Sequence, residues 1–61
     1  MNATAKQIEY IKSLQGKLGM STSYVDVKGI LGKNKIGYQL TQANASDLIS
    51  RLVARCEQEG K

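Results

Sequence analysis

The chain has 61 residues, a formal net charge of +4, one cysteine and no histidine. A single cysteine excludes a disulfide within the monomer, and the lack of histidine excludes a His/Cys metal site of the usual kind. A domain of this size buries only about 60% of the surface that its unfolded chain exposes, so its stability depends on a compact helical core, with a homodimer as a further option.

The apolar runs and the first residues of the chain indicate in which compartment the protein resides. There is no run of about 18 apolar residues, which a membrane span needs. The first residues carry charges where a signal peptide needs an apolar stretch. We therefore expect a cytoplasmic protein, and the lone cysteine is typical of a reducing compartment.

The first predicted element is a helix near residues 4–18. Thr4 and Gln7 match a capping box, in which each side chain bonds to the backbone of the other residue. Apolar residues then recur at the spacing of one helix face, at Ile8, Ile11, Leu14 and Leu18. Gly19 is predicted to end the helix because glycine adopts a positive φ without a Cβ clash.

The middle of the chain, residues 20–40, has two interpretations. Ser23 followed by Asp26 is a capping-box pattern and favours a short helix at about 23–31, which Gly32 would close. Residues 24–28 instead alternate with period two, and residues 36–40 would pair with them as a hairpin. The residues alone favour neither interpretation. In both of them the same side chains complete the core: Val27, Ile30, Leu31, Ile36 and Leu40.

The last predicted element is a helix near residues 42–58, with Thr41 as its N-cap. Its apolar stripe consists of Ala45, Leu48, Ile49, Leu52, Val53 and Cys56. Asp47 with Arg51, and Arg55 with Glu59, are predicted ion pairs on its exposed side. The predicted fold is therefore all-α: two antiparallel amphipathic helices with a short third helix, or a small hairpin, between them.

No residue pattern supports catalysis. Cys56 lies on the apolar stripe, where a thiol is a core side chain and not a nucleophile. The five carboxylates are scattered, and residues 29–33, Gly-Ile-Leu-Gly-Lys, lack the spacing of a phosphate-binding P-loop. We expect neither an enzyme nor a bound cofactor or metal.

The positive charge is concentrated in the first three quarters of the chain. Residues 1–46 contain six lysines and two acids, whereas residues 47–61 contain three basic and three acidic residues. Residues 27–46 contain no acid, and Lys28, Lys33 and Lys35 lie in this stretch. These three lysines are the best candidates for contacts with phosphates, with a solvated loop as the alternative interpretation.

Other residues extend the candidate nucleic-acid surface. Lys12 and Lys17 lie on the first helix, and Arg51 and Arg55 share a face of the last, where their acidic neighbours favour ordinary ion pairs. Tyr38 is the best candidate for stacking on a base, because it is close in sequence to the lysines. By contrast, we expect Tyr10 to be structural because it flanks the apolar stripe of the first helix.

Three stretches also resemble a known kind of module. Residues 4–14 follow the pattern T-x-K-Q-x-x-Y-I-x-x-L, residues 31–33 read L-G-K, and residues 40–52 follow L-T-x-x-x-A-S-x-L-I-x-x-L. These patterns resemble short helical modules of small phage and bacterial proteins. They also resemble tails of phage-type DNA recombination proteins, including single-strand annealing proteins. The resemblance implies a short helix at about 23–31 and a role in DNA metabolism.

These observations lead to two functional hypotheses. The first is a small nucleic-acid-binding accessory protein that favours single-stranded DNA without sequence specificity, since few side chains that read base edges share a helix face. The alternative is a protein–protein adaptor or inhibitor that docks onto a DNA replication or recombination protein, or onto a host protein.

Overall fold

The computed structural model describes residues 1–33 and 36–61 and contains three helices in that part of the chain. They are α1 (Ala5–Lys17), α2 (Val27–Leu31) and α3 (Gln42–Glu59). The described residues form no strand, although Asn2 and Thr41 make an isolated antiparallel bridge. The all-α class is confirmed, with two long helices and a short one between them.

Helix α1 begins and ends where its sequence signals predict. The Thr4 Oγ1 accepts a hydrogen bond from the Gln7 N–H at 3.1 Å, and the Gln7 Oε1 accepts one from the Thr4 N–H at 3.0 Å. This reciprocal pair satisfies two backbone donors that a helix start leaves free. Beyond the other end, Gly19 has a φ of +78°, a conformation that side chains with a Cβ rarely adopt.

Helix α2 is shorter than predicted, because its N-cap is Asp26 and not Ser23. The Asp26 Oδ1 accepts from the Gly29 N–H at 2.9 Å, and the carboxylate lies over the first turn. A Cβ on Gly29 would lie 2.6 Å from the Asp26 Oδ2, so the capping carboxylate occupies the space of a side chain there. Gly32 ends the helix with a φ of +79°. The hairpin alternative is wrong for the described residues of both proposed strands.

Helix α3 provides most of the core. Thr41 caps its start through a 3.1 Å bond from the Asn44 N–H, and Gly60 closes its end with a φ of +71°. Within residues 1–33 and 36–61, the buried apolar side chains are Ile11, Leu14, Ile30, Ala45, Leu48, Leu52 and Cys56. The predicted placement of Cys56 in the core is confirmed.

The two long helices run in the same general direction, whereas the prediction had them antiparallel. Their starts are joined: the Gln7 Nε2 donates to the Gln42 carbonyl at 3.2 Å, and the Ala3 N–H donates to the Leu40 carbonyl at 2.9 Å. Helix α2 lies instead beside the later turns of α3. The nine residues from 32 to 40 can span about 30 Å, enough to return the chain along an 18-residue helix of about 27 Å.

A buried glutamine organises the connection between α1 and α2. Gln15 is fully buried, with an exposed fraction of 0%. Its Nε2 donates to the carbonyls of Ser21 and Tyr24 at 2.6 and 2.7 Å, and its Oε1 accepts from the Asp26 N–H at 2.8 Å. One side chain therefore satisfies three backbone groups of residues 21–26 and fixes the residue that caps α2.

Ile36 was predicted to complete the core, but its side chain is fully exposed. It lies in a turn that follows α2, and partly buried side chains close the core around that turn: Val27, Leu31, Tyr38 and Leu40. The prediction was wrong because apolar character alone does not reveal on which side of an irregular segment a residue lies.

Candidate nucleic-acid interface

An open pocket lies between residues 36–41 and the first turn of α3. Its volume is about 320 Å³, and its lining consists of Ile36, Gly37, Tyr38, Gln39, Thr41 and Asn44. The Tyr38 hydroxyl donates to the Asn44 carbonyl at 3.4 Å, which holds the phenol ring against α3. Tyr38 packs against the core and also lines the pocket. Tyr38, the predicted stacking residue, is thus both anchored and accessible.

The surroundings of Tyr38 include one of the predicted arginines. Partial burial raises the pKa of the Tyr38 hydroxyl, the negative charge of Asp47 raises it further, and the positive charge of Arg51 lowers it. The phenol therefore stays protonated at neutral pH and keeps its hydroxyl as a donor. Arg51 itself pairs with Asp47 at 3.2 Å, and both side chains are about half exposed. The structure brings Tyr38 and Arg51 to the same region of the surface.

Two of the three lysines of the acid-free stretch, Lys28 and Lys33, are exposed. Lys28 lies on α2, and Lys33 directly follows its last turn and Gly32. Neither makes an ion pair within the described part of the chain. Three peptide links keep the Cα atoms of Lys33 and Ile36 within about 11 Å of each other. The third lysine, Lys35, lies outside the described residues.

The lysines of α1 do not form a single surface. Lys12 is half-buried and Lys17 is exposed, and their five-residue separation places them on different sides of the helix. Lys17 instead shares a face with Tyr10 and Lys6, at spacings of seven and four residues from the tyrosine. Tyr10 is 48% exposed, which corrects its expected structural role.

Arg55 has a structural role that the sequence did not reveal. Its Nη1 donates to the Gly29 carbonyl at 3.0 Å and its Nη2 donates to the Ile30 carbonyl at 2.9 Å. The guanidinium therefore fastens the last turn of α2 to α3, where helical carbonyls attract a positive charge. The predicted ion pair of Arg55 with Glu59 is wrong within the described residues, because the guanidinium lies against α2.

A phosphate clamp made by two arginines is accordingly not assembled. Arg51 is engaged by a carboxylate and Arg55 by two carbonyls, although they lie one turn apart on α3. The described residues contain no group of acidic, histidine or cysteine side chains placed to hold a metal ion. None of their helices has the length and apolar character to cross a membrane.

Comparison with known proteins gives no further guide to function. No family model, no curated protein and no solved structure matches this chain. The exposed charges and the pocket are therefore the features that bear on function.

Proposed function

We propose that the protein binds single-stranded DNA without sequence specificity, through phosphate contacts from Lys28, Lys33 and Lys35. The observation that carries the proposal is the exposure of Lys28 and Lys33, which have no ion-pair partner within residues 1–33 and 36–61. They belong to a 20-residue stretch without a single acid, so no carboxylate of that stretch repels a phosphate. Lysine ammonium groups bind phosphates as flexible point charges, which suits contacts that do not depend on sequence.

The helices argue against reading of base sequence in a duplex. Helix α2 has only five residues, which is less than two turns and too short to follow a major groove. The last turns of α3 carry Glu57 and Glu59, whose carboxylates repel the backbone of a duplex. Both features favour a flexible single strand that contacts the lysines locally. The resemblance to modules of single-strand annealing proteins supports the same choice.

A second candidate function is docking onto another protein. Ile36 supports it, because this large apolar side chain is fully exposed beside a pocket. Burying such a side chain in a partner contributes about 1.5–3 kcal/mol to binding before other costs. An adaptor of this kind has no need of phosphate contacts, so a DNA-binding measurement separates the two functions.

Fluorescence anisotropy with labelled single-stranded and duplex oligonucleotides of equal length tests the proposal. We expect tighter binding to the single strand than to the duplex. We also expect the affinity to fall as the salt concentration rises, because binding releases counterions from the DNA and this release is less favourable at high salt. Three phosphate contacts predict a slope of about −2 for log K against log salt, or roughly a 20-fold loss between about 50 and 200 mM. Failure to bind either oligonucleotide at low salt would contradict the proposal and favour the adaptor.

A further inference from the structure

We infer that the pocket beside Tyr38 accepts one unstacked base of the bound strand. This inference rests on the proposed binding of single-stranded DNA and adds a base subsite to its phosphate contacts. It concerns the pocket lined by residues 36–39, 41 and 44, which the phosphate contacts do not use.

The size and walls of the pocket fit a single flat ring system. Its volume of about 320 Å³ is near the lower end of small-molecule sites, which span about 300–1,000 Å³. The phenol of Tyr38 offers an aromatic surface, and the exposed Ile36 offers an apolar one. Gly37 has open space where a Cβ would be, so no side chain from that position obstructs the pocket.

The aromatic wall is already in place before a ligand arrives. Tyr38 is held by packing on the core and by the bond from its hydroxyl to the Asn44 carbonyl. Stacking on a ring that is already ordered loses little side-chain entropy, so more of the contact energy appears as affinity.

The polar groups of the pocket are mostly committed to the protein itself. The Asn44 Nδ2 donates to the Gln39 carbonyl, and the Thr41 Oγ1 accepts from the Asn44 N–H. Stacking therefore contributes more than hydrogen bonds to base edges, and the subsite tolerates any base. This agrees with the absence of sequence specificity in the proposed function.

The charges around the pocket permit a phosphate beside the base. Arg51 neutralises Asp47, the acid that acts on the Tyr38 hydroxyl. The exposed Lys33 lies within about 11 Å of Ile36 by Cα separation, and its four-carbon stem extends its reach. A base in the pocket thus leaves its neighbouring phosphate close to a lysine.

The test compares a labelled oligothymidine with an oligomer of equal length that has abasic sugars throughout. Both carry the same phosphates, so only the bases distinguish them. One stacked base predicts roughly a 5- to 150-fold tighter binding of the oligothymidine. Tyr38→Leu should remove most of that difference while the affinity for the abasic oligomer stays unchanged.

Two further variants show whether a lost preference for bases comes from the pocket or from a change in fold. Ile36→Ser alters the apolar wall at a fully exposed position, so it should reduce the difference between the oligomers without unfolding the chain. Tyr24→Leu is the matched control, since Tyr24 is also exposed but does not line the pocket. It should leave the difference intact.

The outcomes separate the subsite from the proposed function. Equal binding of both oligomers, with the salt dependence retained, overturns the base subsite and leaves the phosphate contacts standing. A preference for bases that Tyr38→Leu and Ile36→Ser do not reduce also overturns it. If neither oligomer binds at low salt, both proposals fail.

Discussion

Gln15→Met is expected to lower the free energy of unfolding by about 2–4 kcal/mol. Methionine keeps the length and packing of the side chain but cannot make its three hydrogen bonds. The carbonyls of Ser21 and Tyr24 and the N–H of Asp26 then lose their partner. Each backbone group left unsatisfied costs about 1–3 kcal/mol when fully buried, and less here because these groups are only part-buried.

Urea denaturation followed by circular dichroism measures this effect. A domain of this length has a total stability of about 3–9 kcal/mol, so the loss is a large part of it. Gln58→Met is the matched control, because Gln58 is an exposed glutamine on α3 and its replacement should change stability by about 0.5 kcal/mol or less. Equal unfolding free energies for the two variants would refute the structural role of Gln15.

Lys33→Glu combined with Lys35→Glu is expected to weaken binding of single-stranded DNA at least about tenfold at low salt. The double variant removes two of three proposed phosphate contacts and adds repulsion. With one contact left, the slope of log K against log salt should fall from about −2 to about −0.7. Anisotropy titrations at several salt concentrations measure both quantities.

A control variant separates the effect of a lower net charge on the protein from the effect of losing Lys33 and Lys35 themselves. Lys6→Glu combined with Lys61→Glu makes the same change in net charge at two exposed lysines outside the proposed contacts. This control should keep most of the affinity and a slope close to that of the wild type. If both double variants lose affinity equally, the binding reflects overall charge and the assignment to the central lysines is wrong.

The helix boundaries were predictable because their signals are local. The capping box of Thr4 and Gln7 and the N-cap Thr41 each act within one turn. Glycine supplies the positive φ that follows a helix, as it does at Gly32 and Gly60. The start of α2 was less predictable, because Asp26 serves as a cap in its own right and not as the partner of Ser23.

The features that the sequence did not predict are interactions between distant parts of the chain. Gln15 lies among the apolar residues of the α1 stripe, and this position indicates burial. The sequence around Gln15 does not indicate which backbone groups its side chain bonds to. Arg55 had a local carboxylate available and instead bonds to carbonyls 25 and 26 residues away. The common direction of α1 and α3 likewise depends on how the chain returns after α2.

The sequence predicted which residues belong to the candidate site better than it predicted how those residues are arranged. The acid-free stretch and Tyr38 were visible in the sequence, and the structure adds the pocket that Tyr38 lines. Arg51 and Arg55 lie one turn apart as helical periodicity requires, but their hydrogen bonds give them different roles. Side-chain partners, which periodicity does not specify, decide that difference.

The most direct test of the proposed function is to record amide chemical shifts while a short single-stranded oligonucleotide is added at low salt. We predict progressive shifts at Lys28, Lys33 and residues 37–41, with the amides of residues 57–60 unaffected. Such a result would place the strand on the lysines and the adjoining pocket. Unchanged spectra in the presence of excess strand, or shifts confined to the end of α3, would contradict it.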